Sequence, residues 1–155
     1  MHQSIVYVPF DHLSFDHGAM RTAAPDTHVV VLVESARMVG GRPWHKERLY
    51  FMISAARHFA QETRDRGFTV RYLQAPTTID GLIEARTEFG QLPIVCAEPS
   101  SFTQFAALQQ FGVQFVANDS FLTSRADFAL WAGRQKTFVM ENFYRAQRLR
   151  LNILV

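Results

Sequence analysis

His28-Val29-Val30-Val31-Leu32-Val33-Glu34 is the stretch on which the fold turns. Its five consecutive apolar residues, four of them valine, read as a strand buried on both faces, as strands of parallel sheets are. Downstream, residues 45–66 place Leu49, Met52, Ile53, Ala56, Phe59, Ala60 and Thr63 at steps of three and four. Those steps draw one stripe along a helix. Gly67 stands where a left-handed C-cap belongs, directly before the next strand pattern. Strand, helix and strand in this order predict a parallel crossover unit.

Working outward, the same alternation fills the chain. Short β-branched and aromatic runs occur at residues 5–8, 68–73, 94–97 and 113–117, and helical patterns at 79–89, 102–111, 125–132 and 140–149. Thr78 and Ser124 are the expected N-caps, with Asp127 completing an imperfect capping box after Ser124. The order predicts an α/β fold: a Rossmann-like, doubly wound, five-stranded parallel sheet with helices on both faces. Ligands of such sheets bind at the carboxyl ends of the strands, near the topological switch point. Residues 1–133 are expected to form the α/β domain and residues 134–155 a basic helical segment. Residues 9–27 form a long loop, a length associated with function or disorder.

The 155 residues are 48% apolar and carry a net charge of +2, a composition that argues against disorder. One cysteine, Cys96, rules out an internal disulfide and any multi-cysteine zinc or iron–sulfur site within the chain. No apolar run approaches the ~20 residues that cross a bilayer and no signal-peptide pattern opens the chain, so a soluble cytoplasmic protein is expected. The sixteen basic residues include only two lysines, Lys46 and Lys136. From Arg134 to Arg150 the charges are Arg134, Lys136, Arg145, Arg148 and Arg150 against Glu141 alone. Arg145, Arg148 and Arg150 are therefore read as facing something anionic or an acidic partner domain, and the resemblance given below makes this the interdomain or DNA-facing side.

No G-x-G-x-x-G follows a strand, and neither G-x-x-x-x-G-K-[ST] nor G-x-S-x-G is present, so nucleotide-driven and serine-hydrolase chemistry have no anchor. Gly40-Gly41 reads as a turn into the long helix. The pairs Asp11-His12 and Asp16-His17 lack metal-site spacing, so no metal site and no catalytic residue is assigned. The candidate ligand-binding residues are Phe10, Asp11, His12, Glu34 and Glu98, each just past a strand's carboxyl end. Two readings of Glu34 stand side by side: acceptor for a ligand's polar groups, or ion-pair partner of Arg37, Arg42 or Arg48. Glu98 either faces the same rim or caps the following helix. Phe10 and Phe15 either stack on a flat ligand or join the core. Cys96 reads as a small buried hydrophobe.

Several segments carry a resemblance. Val33-Glu34, Trp44-His45-Lys46-Glu47-Arg48-Leu49, Ser54-Ala55-Ala56-Arg57-His58-Phe59-Ala60, Asp119-Ser120-Phe121-Leu122-Thr123-Ser124-Arg125 and Met140-Glu141-Asn142-Phe143-Tyr144-Arg145 stand in an order and at intervals that resemble the N-terminal domain of deoxyribodipyrimidine photolyase-related proteins. These are the bacterial iron–sulfur photolyases and cryptochromes. The resemblance implies a domain that holds an antenna chromophore, of lumazine type or a flavin. It further implies a larger helical domain, carrying FAD and an iron–sulfur cluster, that repairs damaged DNA with light. The chain stops at Val155, before that helical domain would begin, so an isolated N-terminal domain is expected, inactive in repair by itself. Its expected partners are its own helical domain and, only through the full-length protein, DNA; self-association through an exposed interdomain surface is also expected. Where the family reads roughly Gly-Asp-Gln-Leu-Ser, this chain has Phe10-Asp11-His12-Leu13-Ser14: Asp11, Leu13 and Ser14 match and Phe10 and His12 do not. The resemblance also makes Glu34 a chromophore contact. The rival expectation is a non-catalytic scaffold with no chromophore.

Overall fold

In the computed structural model, which describes residues 2–154, β2 (His28–Ser35) pairs in parallel with β1 (Ser4–Tyr7) on one side and β3 (Thr69–Ala75) on the other. β1 pairs in turn with β4 (Ile94–Ala97), and β4 with β5 (Gln114–Val116). The strand order β3-β2-β1-β4-β5 reverses direction between β1 and β4, which sets the switch point of a doubly wound, Rossmann-like sheet there.

The valine run explains why the sheet is covered on both faces. Val29, Val31 and Val33 enter one core with Leu82 and Ala85 of α3 (Thr78–Glu88) and Leu108 of α4 (Phe102–Gln110). Val30 and Leu32 enter the other with Ala56, Phe59 and Ala60 of α2 (Lys46–Asp65). Successive strand side chains point to opposite faces, so an unbroken apolar run needs two cores. The long loop of residues 9–27 supplies part of the second: a 3₁₀ turn, Gly18–Arg21, buries Ala19 and Met20 there. It covers the sheet where a crossover helix is absent.

Local chemistry sets the ends. Gly67 is left-handed at φ +87°, as its position before β3 requires. Helix α3 starts one residue earlier than expected. Thr77, not Thr78, is its N-cap, and its hydroxyl accepts from the Asp80 N–H while the Asp80 carboxylate accepts from the Thr77 N–H. Of the two adjacent threonines, the three-residue spacing to Asp80 selects Thr77 over the expected Thr78. Gly40-Gly41 closes a helix missed in the sequence, α1 (Ala36–Gly40), capped by the Ser35 hydroxyl.

The chain divides into two compact units after Asn118, and the expected boundary after residue 133 falls within the second of them. The unit from Asp119 onward contains α5 (Arg125–Ala132) and α6 (Met140–Leu151). Ser124 and Asp127 form a full capping box, and the Ser124 hydroxyl and N–H hold the Asp127 carboxyl below its usual range. Trp131 of α5 packs edge-on against Phe143 of α6 with ring centroids 5.0 Å apart. That pairing ties α5 to α6, which hydrophobic pattern alone does not reveal. Among the described residues, no helix is long and apolar enough to cross a membrane.

Candidate functional site

A cleft of about 530 Å³ opens at the carboxyl ends of β1 and β2. Tyr7, Val33 and Ser35 form its floor, the starts of α3 and α4 one wall, and the segment from α1 into α2 the other, with Phe10 and Asp11 at its edge. The volume suits a small flat ligand. Tyr7 is buried; burial, together with the charge of Asp11 and the Cys96 thiol, drives its hydroxyl pKa far upward against hydrogen bonds with Thr78 and Gln104. Its phenol is therefore a neutral, fixed polar group. Cys96 is fully buried, its Sγ donates to the Ala97 carbonyl at 3.1 Å, and burial with the Asp11 charge pushes its thiol upward. A protonated, inaccessible thiol is no nucleophile.

The five candidate residues fall into three places. Phe10 and Asp11 line the cleft. Glu34 lies on the other face of the sheet: the parity that sends Val33 and Ser35 to the cleft sends Glu34 toward α2. Its carboxylate accepts from the Tyr72 hydroxyl at 2.6 Å, from Arg57 at 2.9 Å and from Gln74 at 3.0 Å. The expected ion-pair partners Arg37, Arg42 and Arg48 instead line the cleft. Glu34 still communicates with it, because the Tyr72 ring stacks on Phe10 with centroids 6.1 Å apart. His12 and Glu98 meet a third group. The Asn118 side-chain amide lies 3.2 Å from His12 Nε2 and donates to the Glu98 carbonyl at 3.0 Å. Ser101, not Glu98, provides the side-chain cap of α4. Phe15 stacks on Phe59 of the α2 core at 4.6 Å, under the Arg66 guanidinium.

Burial raises the Glu34 pKa, but the three hydrogen bonds and the Arg57 charge outweigh it and hold the carboxyl below its ordinary 4.5. A depressed carboxylate stabilises the fold above its unfolded pKa, and that contribution is lost as pH falls through the folded value. Glu34→Ala is expected to cost about 1–3 kcal/mol at neutral pH, chiefly because the half-buried Tyr72 hydroxyl loses its acceptor. The ion pair adds little, since the Arg57 side chain is 56% exposed and screened. Urea midpoints compared at neutral pH and at pH ~3 should show the gap between wild type and variant narrowing in acid.

Sequence reasoning passed over Trp44 and treated its neighbouring arginines only as partners of Glu34. Trp44 donates its indole N–H to the Met38 carbonyl at 2.7 Å, which fixes the ring at the cleft. Arg42 and Arg48 lie over it at 3.8 and 5.1 Å. The signal was the period of two along β2, which separates Glu34 from Ser35.

In the second unit, Arg145 pairs with Glu141 at 2.8 Å, and Arg148 lies over the Tyr144 ring at 5.5 Å. Arg150 donates to the Leu122 carbonyl at 2.8 Å and to Gln147. These arginines thus brace their own unit to different degrees.

A parallel sheet ordered 3-2-1-4-5, with a cleft at its carboxyl edge beside the strand reversal, defines a protein of the Rossmann-like α/β class. The family model for deoxyribodipyrimidine photo-lyase-related protein matches residues 6–155, and the chain belongs to that family. A (6-4) photolyase of Agrobacterium fabrum (strain C58 / ATCC 33970) is 29% identical over 167 residues, covering 97% of this chain and 32% of the relative. The chain spans about a third of the length of that curated relative.

Proposed function

We propose that the chain is the antenna-type α/β portion of a photolyase-related flavoprotein, holding a flat light-harvesting chromophore in the β1–β2 cleft. The observation that carries the reading is that cleft: about 530 Å³, placed where sheets of this order bind ligands, with Phe10 and Asp11 at its edge. Phe10 offers a ring for stacking and Asp11 an acceptor for a ring N–H or ribityl hydroxyl. The Phe10 ring is positioned through Tyr72 by Glu34. A lumazine-type or flavin chromophore fits the cleft's volume and its mixed apolar and polar wall. Bound there, such a chromophore would supply light absorption and energy transfer. The chain's own residues supply stacking, hydrogen bonds and exclusion of water.

FAD, the iron–sulfur cluster and light-driven repair of pyrimidine photoproducts belong in this reading to a helical portion of the full-length protein. The single buried cysteine here offers no ligand set for a cluster. Exposed Leu130, Phe138, Met140 and Leu149 of the second unit, beside Arg145 and Arg148, form the surface toward that portion. A cytoplasmic location fits this role.

Titrating the purified chain with a ribityllumazine, riboflavin and a deazaflavin tests the proposal. Saturable binding with a shifted absorption band is expected for at least one of them. Phe10→Ala should weaken it roughly fivefold by removing a stacking ring. Absence of saturable binding by all three would leave only the scaffold reading, in which the domain braces its partner.

A further inference from the structure

We infer that the cleft is built for a flat ligand bearing a phosphate ester, with Arg42 and Arg48 holding the phosphate. The inference rests on the chromophore reading and adds the ligand's chemical class. Three arginines, Arg37, Arg42 and Arg48, line the cleft against one acid, Asp11. Among the described residues, none of the three arginines is ion-paired with a carboxylate. Clustered guanidinium groups repel one another, and a neutral heterocycle does nothing to relieve that; a phosphate dianion does.

The arrangement is also held in advance. Arg42 and Arg48 both lie over the Trp44 ring, and that ring is anchored by its hydrogen bond to Met38. Guanidinium groups seated over an aromatic ring lose less freedom when they fork onto phosphate oxygens. The far wall adds to the field without creating the site. Helix α4 has no acid in its first turn, and its Ser101, Thr103 and Gln104 line the cleft, whereas the start of α3 already carries Asp80.

Riboflavin and its 5′-phosphate share one ring system and differ by the phosphate alone, so they isolate the inference. Titrations of the chain with each, followed by flavin fluorescence at matched low ionic strength, should show the phosphate ester binding roughly tenfold tighter or better. The preference should shrink toward unity in Arg42→Gln/Arg48→Gln and also as salt is raised. Circular dichroism of the double variant checks that the fold persists. Equal affinities, or a preference that survives loss of both arginines, would overturn the phosphate inference and leave the chromophore reading standing. If neither flavin nor the ribityllumazine binds, both fall together.

Discussion

Gly81→Val is expected to be strongly destabilising, lowering stability by about 3 kcal/mol or more. Gly81 sits in the first turn of α3, buried against β2. A Cβ built there lies 2.6 Å from Val33 Cγ1 and 2.9 Å from Cγ2. Val33 is stiff at χ1 and packed in the core, so neither partner can yield without moving α3 off the sheet. Helix propensity alone favours replacing glycine, by ~1 kcal/mol for alanine, so a loss of stability shows that close approach outweighs backbone entropy. Gly40→Ala is the contrast: a Cβ there meets nothing within 4 Å. Urea unfolding should show a much lower midpoint for Gly81→Val at unchanged slope, and little change or a slight rise for Gly40→Ala. Because α3 begins at the cleft wall, Gly81→Val should also weaken the chromophore binding proposed for the cleft.

Leu32→Ala is expected to cost about 4 kcal/mol, near the upper part of the range for buried leucine truncation. Leu32 has no exposed surface and is enclosed between β2 and α2, so the void left behind stays dry and empty. Leu108→Ala, at a site just as buried, should cost only about 2–3 kcal/mol. Leu108 also lines the cleft, so its void opens into a space that water and neighbouring side chains can enter. Equal losses for the two variants would show that the cleft is closed off from the α4 core.

The cleft and the Glu34 cluster lie on two faces of one sheet. Asp11, Trp44 and the arginines line the cleft, while Glu34 is committed to Tyr72, Arg57 and Gln74. The stack of Phe10 on Tyr72 is the physical link between them. An effect of Glu34 substitution on ligand affinity would thus report ring positioning, and it would accompany a loss of stability.

The parallel sheet, its five strands and the long α2 stripe were legible in the sequence, because burial on both faces leaves short unbroken apolar runs in strands and burial of one face leaves a period of 3.6 in a helix, and both signals survive without tertiary information. Ser124 with Asp127 was legible for the same reason: a capping box is a local hydrogen-bond pattern. Phe10 and Asp11 follow a strand's carboxyl end in the sequence, and both line the cleft. Side-chain partnerships were not. Arg57 rather than Arg37, Arg42 or Arg48 reaches Glu34, since pairing depends on which helix packs over which face. Trp44 joins the cleft through a hydrogen bond within a loop, and α5 joins α6 through aromatic packing. Sequence by itself thus determined the elements and their order, as these arise from local propensity and periodic burial; tertiary structure alone decided which charges meet and which line the cleft, because that choice is made only when separate segments are brought within a few ångströms.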